Sequence, residues 1–235
     1  MVISPNSDCV KSMDLILAVD LMGGSVVWGT GGLRDHYQPL TWGVASSARP
    51  VPFVREVSPR FLYVADLDRI VGRGSHDQEI KAVARLVDRC FVDRGCRNPG
   101  DYLEFPGIEN VVGTETGGED LSHYHGGFLS IDIRDGKVVP RGEDPVSLVK
   151  SAEAWDFNGC IILNLGSVGT KSGIDPSLLE EFRASCTGTL LYGGGIASEE
   201  DVYHLAETGF DGAILATAVH TKRLPLSWIR CGAPC

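Results

Sequence analysis

Residues 17–27, LAVDLMGGSVV, return at residues 129–139 as LSIDIRDGKVV. Asp20 then falls on Asp132, Gly24 on Gly136, and Val26 and Val27 on Val138 and Val139. Three further blocks recur in the same order. Residues 62–77 match 160–175, with Asp66 on Asn164 and Asp77 on Asp175. Residues 91–102 match 191–202, with Gly95 on Gly195, and residues 108–116 match 210–218. An ordered repeat at half the length of a 235-residue chain restricts the fold more than any single motif, because the architecture must divide into two similar halves.

Each block is a short apolar run ending in Gly, Asp, Ser or Thr, and most lead into a helical pattern. Residues 76–89, 144–155, 175–185 and 198–209 carry that pattern. Asp175 and Pro176 make a helix start, as does Ser198 with Asp201 three positions on, and Gly209 is a stop. The spacing predicts strand–loop–helix four times per half. Apolar strands alternating with amphipathic helices imply a parallel sheet covered on both faces. Two such halves make an α/β fold, the eight-stranded (β/α)8 TIM barrel. The expected halves are residues 13–125 and 126–224, flanked by an extension, 1–12, and a tail, 225–235. The competing architecture, an open doubly wound sheet, does not require a two-fold repeat.

The formal net charge of −10 argues against nucleic acid and anionic membranes as partners. No apolar run reaches the roughly 20 residues of a membrane span, and the N-terminal residues lack the pattern of a signal peptide. The seven cysteines have no framework spacing, so reduced thiols and a cytoplasmic location are expected. Cys231 and Cys235 have no clear companion ligands, and no metal is expected. Oligomeric state is not legible.

A carboxylate between Ile131 and Ile133 is costly unless it is paired, hydrated or used. Active sites of this barrel lie at the C-terminal ends of the strands. Asp20 ends the first strand and Asp132 the fifth, so the two face each other across the mouth, and such a pair divides acid and base roles. Gly193, Gly194 and Gly195 precede a helix N-terminus, an arrangement suited to phosphate, with Ala216 and Thr217 beside them. Gly169, Thr170, Ser172 and Gly173 add backbone donors, and Lys171 is a further candidate contact. Gly95, Gly113 and Thr114 occupy the matching first-half slots, but Asp93 and Arg94 stand where the second half has its first two glycines. The expected partner is a small phosphorylated metabolite.

Other residues carry two readings. Asp66 and Asp68, placed at a third strand, either contact substrate or cap the following turn and pair with Arg69 and Arg73. His36 is read as a solvated loop residue, and His123 with His125 as a surface turn on the opposite rim. Trp28 and Trp42 belong to the core or to a lid. Asp135 makes a turn with Gly136.

The stretches DLMGGSVV, DLD, DIRDGKV and GGGIASEED together resemble the histidine-biosynthesis barrels over residues 13–224. Within that family the mid-chain DIRDGKV leans towards ProFAR isomerase rather than the cyclase subunit of imidazole glycerol phosphate synthase. The resemblance implies an aldose–ketose isomerisation of the Amadori type without cofactor or metal. It implies Asp20 and Asp132 as the catalytic pair, and phosphate loops at the glycine positions named above. The chain departs from the family pattern at Gly23, Leu163, Asn164 and Val168, and has DRGC for the first GGGI. Changed substrate positions around a kept catalytic pair suit a related, smaller sugar phosphate. A lyase or synthase acting on a phosphate ester, and a non-catalytic phosphosugar-binding relative, are the alternatives.

Overall fold

The computed structural model describes residues 13–29, 34–167 and 176–234. The N-terminal extension, Gly169, Thr170, Lys171, Ser172, Gly173 and the Asp175 cap lie outside these residues. Eight parallel strands form a closed barrel: β1 (Asp14–Met22), β2 (Phe61–Asp66), β3 (Arg89–Asp93), β4 (Ile108–Gly113), β5 (Phe128–Arg134), β6 (Gly159–Asn164), β7 (Thr189–Gly193) and β8 (Gly212–Leu215). Pairing of β8 with β1 closes the ring. Side chains alternate between two cores, as the period of a strand requires. Ile16, Phe61, Phe91, Phe128, Ile161, Leu191 and Ile214 fill the lumen. Leu15, Leu62, Val92, Val112, Leu129 and Ile162 face outward, towards the covering elements.

The repeat is visible in the strand register. Asp20 lies beside Ala65 and Asp132 beside Leu163. Ala65 lies beside Asp93 and Leu163 beside Gly193, so Asp93 and Gly193 are structural twins. In the last block Asp93 pairs with Val111, whereas Gly193 pairs with Ile214. This shifts the sequence alignment by one residue and puts Gly113 on Ala216 and Thr114 on Thr217. Asp66 ends β2, the twin of β6, and not a third strand. Both halves also turn back on themselves after their first strand. Met22 pairs with Ser25 around Gly23–Gly24, and Arg134 with Lys137 around Asp135–Gly136. All four turn residues have positive φ, the geometry of two-residue hairpins. The apolar run Ser25–Trp28 therefore folds onto β1 antiparallel and adds no barrel strand.

The helical layer is less regular than the strand–loop–helix rhythm predicts. Helices α1 (Pro50–Val57), α2 (Leu67–Ile70) and α3 (Asp77–Ala84) follow β1 and β2. Helices α4 (Pro145–Ala152), α5 (Pro176–Ala184), α6 (Glu199–Thr208) and α7 (Thr217–His220) follow the four second-half strands. β3 is followed only by a 3-10 turn, Pro99–Asp101, and β4 by no helix. The cause is local. Residues 94–107 contain Pro99, Pro106 and three glycines, and residues 114–127 contain four glycines without an apolar period. Buried Leu103, Leu121 and Tyr124 cover the strands instead, with Tyr102 and Phe157 stacked on Tyr124. At the N-terminal end of the barrel α8 (Leu226–Cys231) buries Trp228 and Ile229. Gly232 O accepts from Leu15 N, so the segment set apart as a tail packs under β1.

Candidate active site

The lumen opens at the C-terminal ends of the strands into a cavity of about 140 Å³. Asp20 and Asp132 both line it, from strands on opposite sides of the ring. The alternation of β5 explains how a carboxylate sits among isoleucines: Ile131 and Ile133 join the outer core while Asp132 joins the wall of the cavity. Asp132 is 3% exposed and held from three directions. Ser130 Oγ donates to Oδ1 (2.7 Å), while Glu115 N (3.1 Å) and Thr114 Oγ1 (3.4 Å) donate to Oδ2. Burial pushes its pKa up to about 7, reinforced by the charge of Asp93 and opposed by the Ser130 and Glu115 bonds. Burial likewise lifts Asp20 to about 6, with the Arg34 guanidinium pulling down and Asp93 pushing up.

Three groups that sequence reasoning did not put in the site complete this side. Asp93 is buried, lines the cavity and is raised to about 6, first by burial, against the bond from Gly95 N–H. Tyr63, on the inward face of β2, donates its hydroxyl to Asp93 Oδ2 at 3.4 Å. Its phenol is held well above the usual range by burial and by the charges of Asp93, Asp132 and Asp20. Arg34 forms a two-pronged ion pair with Glu115 at 3.0 and 2.5 Å, joining the loops after β1 and β4 over the cavity. Asp93 was visible as the residue replacing a glycine of the repeat; Tyr63 and Arg34 carried no such signal.

The opposite wall is built from Gly194, Gly195, Ile196, Ala216, Thr217 and His220. Gly194 and Gly195 have φ of 97° and 83°. A Cβ on Gly194 would lie 2.3 Å from Asn164 O, so the β6 and β7 ends meet through a glycine. Gly193 is buried behind this wall against Leu163 and Ile214. Helix α6 follows with its capping box formed: Ser198 Oγ accepts from Asp201 N, and Asp201 Oδ2 from Ser198 N and Ala197 N. Trp28 lines the cavity and its indole N–H donates to Thr217 Oγ1 at 3.5 Å, while Trp42 meets it edge-on and is more exposed. His220 is pushed down to about 4 by burial and is neutral near pH 7.

The remaining candidates have other surroundings. Asp66 is fully buried away from the cavity wall. Its Oδ1 accepts from Arg69 N and from His76 Nδ1, and its Oδ2 from His76 N. His76 Nε2 in turn accepts from Gly24 N, and Asp68 Oδ2 from Gly23 N. The acidic pair thus braces the β1 hairpin. Asn164 is half-buried, and its neighbours Leu163 and Leu165 line the cavity in its place. Gly95 and Thr114 are absent from the wall, and Thr114 Oγ1 accepts from Asp132 N at 3.0 Å. His125 bonds Asp156 on the far rim. Among the described residues no cluster of three or more His, Cys, Asp or Glu side chains is placed to hold a metal ion, and no helix is long and apolar enough to cross a membrane.

The histidine biosynthesis protein family matches residues 14–225. The chain belongs to that family. An uncharacterized protein of Methanocaldococcus jannaschii is 29% identical over 92% of this chain and 97% of its own length. The relative from Gemmatimonas aurantiaca, 29% identical over 89% and 94%, is named as an isomerase. So is the relative from Deinococcus radiodurans, 31% identical over 70% and 77%. The compound in both names is an imidazole carboxamide bearing a phosphoribosyl group and a phosphoribosylamino group. The match makes the chain an isomerase-type TIM barrel related to histidine biosynthesis.

Proposed function

We propose that the cavity isomerises a phosphorylated sugar or ribotide from aldose to ketose, with Asp20 and Asp132 as its acid–base pair. The observation that carries this reading is the placement of both carboxylates on one cavity, each with a raised proton affinity. The reaction needs one group to protonate the ring oxygen as the sugar opens and another to take the C2 proton, after which a proton delivered to C1 completes the ketose. Burial raises the proton affinity of both, so one carboxyl can carry the proton that the ring oxygen takes while the other, ionised, receives the C2 proton. The phosphate is held at the wall of Gly194, Gly195, Ala216 and Thr217, where backbone donors meet the anion, and this anchoring orients the sugar carbon between the carboxylates. No step calls on a cofactor.

The assay is deuterium exchange from solvent into C2 of a phosphorylated aminoaldose, followed for the parent and for Asp20→Asn. Exchange by the parent that the variant loses is the expected result; equal exchange by both overturns the assignment. The rate should follow a bell, rising as one carboxyl ionises and falling as the second loses its proton, with both limbs above the ordinary carboxylate range. Complementation of a strain lacking ProFAR isomerase separates substrates: rescue assigns the histidine intermediate, and failure with good expression points to a related sugar phosphate.

A further inference from the structure

We infer that Asp93 occupies, with the protein's own carboxylate, the place where a second phosphate would bind. The substrate then carries phosphate at one end only, and presents hydroxyl or amine donors to the β3–β4 end. The inference rests on the proposed phosphate wall at β7–β8 and asks what its twin has become.

The strand register makes Asp93 the counterpart of Gly193, and Gly95 that of Gly195. In the first half the Gly95 N–H already donates to Asp93 Oδ1 at 3.0 Å. A backbone donor at the position of an anion site therefore serves an internal anion. Three arginines lie close by, and each is turned to the loop rather than to the cavity. Arg69 donates to the carbonyls of Arg94 and Gly95 and pairs with Asp101. Arg94 donates to Asp101 O and pairs with Asp77. Arg97 donates to the carbonyls of Gly95 and Ile70.

The wall beside them is crowded with negative charge. A Cβ built on Gly113 would lie 2.9 Å from Asp132 Oδ2 and 3.4 Å from Asp93 Oδ2, so both carboxylates close over this glycine. Among the described residues, Asp20, Asp93, Glu115 and Asp132 line the cavity with two guanidinium groups, Arg34 and Arg134, and Arg34 is tied to Glu115. The β7–β8 wall, by contrast, is formed of glycines, small side chains, Ile196 and a neutral His220. A dianion is repelled at one end and not at the other. What the β3–β4 end accepts is a hydrogen-bond donor, because ionised carboxylates have only acceptor oxygens.

The test is calorimetric titration of the parent, Asp93→Asn and Asp93→Gly with ribulose monophosphate and ribulose bisphosphate at pH 8, each protein first checked by a thermal melt. The parent should bind the monophosphate about tenfold tighter than the bisphosphate, and folded Asp93 variants should narrow that preference to about threefold or less. Equal or tighter binding of the bisphosphate by the parent overturns the inference and leaves the phosphate wall standing. An undiminished preference in both folded variants also overturns it. Failure of the parent to bind either compound overturns the phosphate reading itself. The parent comparison decides the matter even where a variant does not fold.

Discussion

β7 ends in Gly193 and passes through two left-handed glycines to α6, a ten-residue helix closed by a capping box. β3 ends in Asp93 and passes through one left-handed glycine to a three-residue 3-10 turn with a capping box of its own, Asn98 with Asp101. The two corners are twins in register and opposites in chemistry. One leaves backbone and small side chains on the cavity wall; the other places a buried carboxylate there, beside the β4 end whose Thr114 and Glu115 hold Asp132. The duplicated backbone sets where a strand ends, and the residue at that end decides which charge is welcome there.

The sharpest attack on this contrast is at the carboxylates it separates. Asp20→Asn and Asp132→Asn should each lower turnover by about 10²–10⁴, with the fold retained by circular dichroism. A variant that keeps more than about a tenth of the activity would remove that residue from the acid–base pair. Next come the paired glycines. Gly194→Ala and Gly95→Ala should both destabilise by ~1–3 kcal/mol, because each has positive φ and a crowded Cβ position. Only Gly194→Ala should weaken binding of inorganic phosphate, and equal losses in titration would erase the difference between the corners.

A smaller effect is expected from pH. Asp20, Asp93 and Asp132 all have folded pKa values raised above those of the unfolded chain. The folded state therefore binds protons more tightly. The stability these three carboxyls contribute is fully present below the unfolded carboxylate range and is lost as pH rises through about 6 to 7. Asp93→Asn should accordingly gain ~1–2 kcal/mol at pH 8 and nothing comparable at pH 4, read from denaturant melts. The smallest difference lies in the caps. Ser198→Ala should cost α6 about 1 kcal/mol, and Asn98→Ala should cost less, because its cap closes only a single turn; urea midpoints decide the order.

The eight strands and the pairing of Asp20 with Asp132 were legible because a duplicated sequence repeats its apolar periods. Legibility ended where the halves differ in composition. Helices predicted after β3 and β4 are absent because Pro99, Pro106 and the glycines of both loops overrule the expected rhythm. Thr114 resembled a phosphate contact by its place in the repeat, yet its hydroxyl holds Asp132. Asp66 offered two readings from sequence; its bonds to Arg69 and His76 place it under the β1 hairpin. Tyr63 looked like any inward aromatic, and only its 3.4 Å approach to Asp93 joins it to the site.

The sequence by itself determined the half-barrel duplication, the two aspartates at equivalent strand ends and the glycine-rich corner after β7. These follow from local period and order along the chain, which any fold built from it must respect. The tertiary structure alone decided that Asp93, Tyr63, Arg34 and Glu115 share one cavity, and that the nearby arginines turn away from it. Such facts depend on side chains brought together from distant strands in a low-dielectric interior, where a neighbour a few ångströms away sets both the charge and the use of a group.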